Sequence, residues 1–175
     1  DATMKLLENV LRRAKCPVVI DADGLNVLAG KTELLESASC EVVITPHPGE
    51  MSRLMGQSIE DIQKNRMRAA KEFAEKHNAT VLLKGYNTII TDGDRIYINS
   101  TGNSSMASGG MGDCLTGMIV SFIGQGYDIP EAVCIAAYIH GYTGEKLSKK
   151  MFCVNAGHVM ENLPYAIHEV LFPEQ

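Results

Sequence analysis

"CPVVIDADGLN" occupies Cys16–Asn26 and reads as a strand that runs into a polar turn. Pro17 stops whatever helix precedes it, Val18-Val19-Ile20 is an unbroken apolar run, and acids follow at the carboxyl end. "CEVVITPHPGE" (Cys40–Glu50) repeats the pattern with Val42–Ile44, and "TVLLKG" (Thr80–Gly85) supplies a third run. Short apolar runs without polar alternation are the mark of strands buried on both faces, as in parallel sheets.

The segments between them are helical. Ala2–Ala14 places Leu6, Leu7, Val10, Leu11 and Ala14 on one face, with Thr3 as N-cap. Ser58 caps a long helix to about His77 with Ile59, Ile62, Ala69, Ala70 and Phe73 inward. "TIITDGDRIYINS" (Thr88–Ser100) predicts a hairpin turning at Asp92-Gly93. A helix follows from about Gly110 to Gly124, Pro130 opens another, and a last one spans Ala156–Val170 with an interruption near Pro164. This alternation predicts an α/β fold, three-layer α/β/α, with a mostly parallel sheet.

Such sheets bind ligands outside the carboxyl ends of their strands. "DADGLN" (Asp21–Asn26), "TPHPGEM" (Thr45–Met51), "LKGYNT" (Leu83–Thr88) and the glycine-rich "SMASGGMGDCLTGM" (Ser105–Met118) all fall there. The glycine stretch opens a helix, whose first N–H groups are free and whose dipole favours an anion. Gly109, Gly110 and Gly112 let the backbone approach a phosphate, and Asp113 can take the proton of an attacking hydroxyl. Read without context, a tight loop with Asp113 as a first-turn cap fits equally well. The fingerprints GxxxxGK[ST] and GxGxxG are absent.

Composition narrows the classes. The chain has 175 residues, 45% apolar and 21% charged, with net charge −5 and no Lys/Arg-rich run. That excludes a general nucleic-acid surface, and no apolar run reaches membrane-spanning length. Five scattered cysteines without a CxxC pair point to reduced thiols and a cytoplasmic location, not a disulfide frame or zinc site. The nine methionines read as core filler.

"GGMGDCLTG" (Gly109–Gly117) resembles the GxGD signature of ribokinase-like kinases. Taken in order, "DADGLN", "TPHPGEMSRL", "LKGYNTII", "GNSSMASGGMGDCLTGMI", "YIHGYTGE" and "VMENLPYAI" resemble the ADP/ATP-dependent NAD(P)H-hydrate dehydratases, nearest their bacterial, ADP-using branch. The resemblance implies a ribokinase-like fold and a repair reaction. The hydroxyl of hydrated NADH or NADPH is phosphorylated by ADP or ATP with Mg2+, and phosphate then leaves. It makes Asp113 the base, with Gly110, Met111 and Gly112 forming the anion hole. Thr45, His47, Gly49 and Glu50 would face the hydrated nucleotide. Lys84, Gly85, Tyr86, Asn87 and Thr88, with Asn103, Ser108 and Gly109, would bind ADP or ATP.

Other roles stay open for several of these residues. His47 can be a hydrogen-bonded turn residue, Glu50 a helix cap and Lys84 a snorkelling side chain. Asp21, Asp23 and Asn26 can orient substrate or hold magnesium through water, and Asp23 can equally cap a turn. His140 reads as a packing or subunit-contact residue. Against the family pattern, residues 1–175 correspond to the C-terminal portion of one ribokinase-like domain without its N-terminal strands and helices. Ser104-Ser105 stands where many relatives have Pro-Gly. The small-residue helix around Ala136 and the family suggest a homo-oligomer, and the resemblance leaves room for an epimerase domain in the full-length protein. The competing readings are a kinase of a small vitamin precursor or sugar and a nucleotide-binding domain without turnover.

Overall fold

The computed structural model describes residues 2–173. The strands are β1 (Val18–Ile20), β2 (Val42–Ile44), β3 (Thr80–Leu83), β4 (Thr88–Thr91) and β5 (Ile96–Asn99), ordered β1-β2-β3-β4-β5 in one sheet. β1, β2 and β3 run parallel, with Val19 opposite Val43 and Ile44 opposite Val81. β4 joins β3 antiparallel, so the sheet is mixed: a parallel core extended by the hairpin foreseen at Asp92-Gly93. Asp92 closes that turn, its Oδ1 accepting from the amides of Asp94 and Arg95 at 3.0 and 2.9 Å.

The chain divides into two compact units, Asp1–Ile98 and Asn99–Gln175. In the first, helices α1 (Ala2–Arg13), α2 (Asp23–Leu28), α3 (Pro48–Met55), α4 (Ile59–Lys64) and α5 (Arg66–His77) surround the strands. Its core joins Leu11, Leu25, Ile44, Met51, Phe73 and Leu83. Each such side chain contributes about 1.5–3 kcal/mol when fully buried.

Three local readings need correction. Ser58 does cap a helix, accepting from the Asp61 amide, but the long helix is two. Asn65, at φ −132° and ψ 39°, leaves helical geometry and separates α4 from α5. The change of direction leaves Ile59 exposed while Ile62, Ala69, Ala70 and Phe73 stay buried. α1 already begins at Ala2, so Thr3 lies in its first turn instead of capping it. Its apolar face is also only partly covered, because β1 is the end strand of the sheet. Leu11 is buried, but Leu6 and Val10 border an open cleft of about 260 Å3 beside Val18 and Val19.

The second unit is helical, with α6 (Met111–Gly124), α7 (Ile129–Ser148) and α8 (Ala156–Leu171). Pro130 sits in the first turn of α7, as read. Pro164 does not interrupt α8. A proline forfeits one helix bond, to the carbonyl four residues back. That residue, Met160, is exposed, so water can take the bond. Ala132, Val133, Ala136 and Ala137, on the small-residue face of α7, are all buried. All five cysteines are free thiols. No helix among the described residues is long and apolar enough to cross a membrane.

Candidate active site

The carboxyl ends of the three parallel strands collect charge. Asp21 follows β1, Thr45 follows β2 and Lys84 follows β3. Lys84 Nζ lies 2.9 Å from Asp21 Oδ1 and 3.9 Å from Glu50 Oε2. Burial alone would raise the Asp21 carboxyl; the Lys84 hydrogen bond and charge, with the Ala22 amide and the Thr45 hydroxyl, outweigh it and hold the group below its usual 3.8. Ala22, between the two acids, has φ 49° and ψ −119°, a conformation that L-residues rarely adopt. Lys84 therefore does not merely snorkel to solvent: its ammonium bridges two elements of the sheet end.

"TPHPGE" folds as a helix start. His47 is the N-cap of α3, with Nδ1 accepting from the Gly49 and Glu50 amides at 3.0 and 3.2 Å. Glu50 closes the reciprocal half of the box, with Oε2 accepting from the His47 amide at 2.7 Å. The cap readings of both residues thus hold. Because Nδ1 is an acceptor twice over, the ring proton resides on Nε2, and half the side chain is exposed. Gly49 is needed here, since a Cβ would stand 2.9 Å from His47 Cε1. Asn26 is committed elsewhere: its Oδ1 accepts from Arg53 Nε and Nη2, tying α2 to α3. Asp23 takes only the Asn26 amide group, at 3.5 Å.

The turn Lys84–Asn87 departs from ordinary geometry twice, with φ 142° at Gly85 and 52° at Asn87. Thr88 Oγ1 donates to the Gly85 carbonyl, and the Tyr86 ring is exposed. Sequence reasoning missed Arg66, whose guanidinium donates to the carbonyls of Leu83, Lys84 and Tyr86. Only the interruption at Asn65, invisible in the helical periodicity, brings it to that position.

In the second unit, Gly110 caps α6 at φ 83°, and Met111, Gly112 and Asp113 form its first turn. The amides of these three residues have no acceptor among the described residues, as the first N–H groups of a helix require unless capped. Asp113 is exposed and makes no hydrogen bond or ion pair to any described residue. It does not cap the helix, which disfavours reading the glycine stretch as a capped tight loop. Met111 turns its side chain into the unit and is buried. From Gly110 and Asp113 a mostly apolar groove of about 550 Å3 runs between α6 and α8, past Cys114, Met118, Met160 and Leu163.

The loop before α6 is pinned to α7. Asn103 Oδ1 accepts from the Ser105 amide and its Nδ2 donates to Ser148 Oγ. Ser108 Oγ donates to the Val154 carbonyl, and the Gly102 amide donates to Glu145 Oε1. Asn103 and Ser108 therefore shape the loop, while Gly109 stands open with no atom near its Cβ position. His140, on α7, is largely enclosed. Burial pushes it down to about 4, although its hydrogen bond to the Met111 backbone works the other way. No group of three or more His, Cys, Asp or Glu side chains suited to a metal occurs among the described residues.

The chain is similar to known proteins along nearly its whole length. The bifunctional NAD(P)H-hydrate repair enzyme Nnr of Moorella thermoacetica is 40% identical over 172 residues, 97% of this chain and 32% of that protein. The ADP-dependent (S)-NAD(P)H-hydrate dehydratase of Staphylococcus aureus is 36% identical over 165 residues, 94% of this chain and 57% of that protein. The ADP/ATP-dependent NAD(P)H-hydrate dehydratase of Bacillus subtilis, crystallised with ATP and Mg2+, superposes with a TM-score of 0.83 at 35% identity, covering 92% of this chain and 59% of that one. The chain thus spans about a third of the bifunctional relative and under two thirds of the others. Ribokinase of Thermotoga maritima, at 15% identity and a TM-score of 0.59, shares the fold, which is ribokinase-like α/β. The NAD(P)H-hydrate dehydratase family model (Carb_kinase) matches residues 1–165, and the chain belongs to that family.

Proposed function

We propose that the protein dehydrates hydrated NADH and NADPH at the expense of ADP or ATP. The observation that carries this reading is Asp113: an unpartnered carboxylate in the first turn of a helix whose leading amides are free. Asp113 accepts the proton of the ring hydroxyl as that oxygen attacks the terminal phosphorus of the nucleotide. The bond from phosphorus to the bridging oxygen breaks, and the shortened nucleotide leaves. The Gly110, Met111 and Gly112 amides, with that of Asp113, stabilise charge on the moving phosphoryl group.

The second stage breaks a carbon–oxygen bond. Phosphate is a far better leaving group than hydroxide, and the ring-nitrogen lone pair expels it, giving an iminium. The departing phosphate or water takes a proton from the adjacent ring carbon, which restores the double bond. His47 Nε2–H is a donor for the hydrated nucleotide, with Thr45, Gly49 and Glu50 around it. We assign the turn from Lys84 to Thr88 to nucleotide phosphate.

Magnesium fits this chemistry without a protein-only cage, because it is held by one or two carboxylates plus substrate phosphates. Asp23, whose carboxylate takes only the Asn26 amide group, is the donor that would hold it through water. When bound it neutralises phosphate charge. We propose ADP as the preferred donor and a homo-oligomer as the working form. The test is incubation with hydrated NADH, ADP and Mg2+. Release of NADH and free phosphate supports the proposal; a stable phosphorylated product indicates a small-molecule kinase of the same fold.

A further inference from the structure

The turn after β3 is asymmetric in its hydrogen bonding. Arg66 Nη2 reaches the carbonyls of Leu83 at 3.1 Å and Lys84 at 3.4 Å, while Nη1 serves Tyr86. The remaining carbonyl, of Gly85, accepts from Thr88 Oγ1 at 2.9 Å. Every acceptor from Leu83 to Tyr86 is thereby occupied from within the unit. The donors are not: the Gly85 and Asn87 amides have no acceptor among the described residues, whereas the Lys84 amide donates to the Pro46 carbonyl.

Within a trans peptide the C=O and N–H point in opposite directions. The Lys84 carbonyl shares its peptide with the Gly85 N–H, and the Tyr86 carbonyl shares its peptide with that of Asn87. Drawing both carbonyls onto one guanidinium turns both N–H groups to the opposite side. Free amides two residues apart that face the same side can together bind an anion. Gly85 fits this arrangement as no other residue does, because its φ is 142° and a Cβ would stand 2.9 Å from Arg66 Nη2.

We propose that Arg66 is a positioning residue, whose planar fork gathers the carbonyls of this turn and so aims the Gly85 and Asn87 amides at a phosphate of the nucleotide. The inference rests on the reading of this turn as a nucleotide-phosphate site. Lysine cannot replace arginine here, since a point charge on a flexible stem does not span three carbonyls.

The experiment compares ADP with adenosine, which lacks phosphate, by calorimetric titration of the protein and its Arg66→Lys and Arg66→Gln variants, with Lys84→Ala as reference. Thermal unfolding monitors each variant's fold. In Arg66→Lys, ADP affinity should fall roughly ten- to hundredfold, while adenosine affinity stays at the parent level. Unchanged ADP affinity overturns the proposal, and so does an equal loss for ADP and adenosine, which marks a general structural role. If the parent binds ADP no better than adenosine, or Lys84→Ala binds ADP as the parent does, the phosphate-site reading itself fails. Should both Arg66 variants unfold, the parent decides. ADP titration should move the Gly85 and Asn87 amide resonances, and silence at both overturns the proposal.

Discussion

Lys84 Nζ and Asp21 Oδ1 lie 2.9 Å apart, joining the carboxyl ends of β3 and β1 across 63 residues of sequence. The pair is mostly enclosed, with side-chain exposures of 23% and 11%, so removing one partner strands the other in a poorly solvated place. Asp21→Asn should cost about 1–3 kcal/mol at pH 7. The sign with pH follows from the depressed Asp21 value. Its contribution is present above the ordinary 3.8 and is lost as pH falls below that through the native value. Urea unfolding at pH 7 and pH 3 checks both: the gap between parent and variant should narrow at the lower pH.

His140 acts in a different window. Its native value of about 4 lies below the ordinary 6.5, so the unfolded chain binds the proton first. Stability is full above pH 6.5 and declines as pH falls toward 4. Between pH 7 and 5 the loss should be about 2 kcal/mol. His77, also held down by burial, adds to the same slope, so the measurement is a difference. His140→Gln should flatten the decline relative to the parent in urea unfolding at the two pH values.

Two glycines of α7 sit where no side chain fits. A Cβ on Gly141 would lie 2.6 Å from the Thr101 backbone carbon, and one on Gly144 would lie 2.1 Å from Met106 Sδ. Gly141→Ala must move backbone and should cost about 1–3 kcal/mol. Gly144→Ala meets the far end of a flexible methionine and should cost less. Gly124→Ala, at the end of α6 with nothing near its Cβ position, should instead stabilise by about 0.5–1 kcal/mol. Melting temperatures of the three variants give the order.

Strands were the most legible part of the fold. Val18–Ile20 and Val42–Ile44 are apolar runs preceded by a proline or an acid, and both pair in parallel as read. The Asp92-Gly93 turn and the Ser58 cap carry local chemistry and were equally readable. The break at Asn65 was not, because apolar spacing continues across it and only its dihedrals depart from helix. In the site, His47, Glu50 and the glycine stretch announced themselves by position at strand ends. The Asp21–Lys84 pair and the grip of Arg66 on the turn did not. Each depends on residues 17 to 63 positions apart, which pattern within one segment cannot connect.

The role assigned to Asp113 is that of the base in a phosphorylation-driven dehydration. It is tested by following dihydronicotinamide absorbance as the protein acts on hydrated NADH with ADP and Mg2+, beside Asp113→Asn. The parent should restore absorbance and release free phosphate. Asp113→Asn should turn over roughly two to four orders of magnitude more slowly while ADP affinity holds. Near-parental turnover in Asp113→Asn, or no restored absorbance from the parent, would contradict the account.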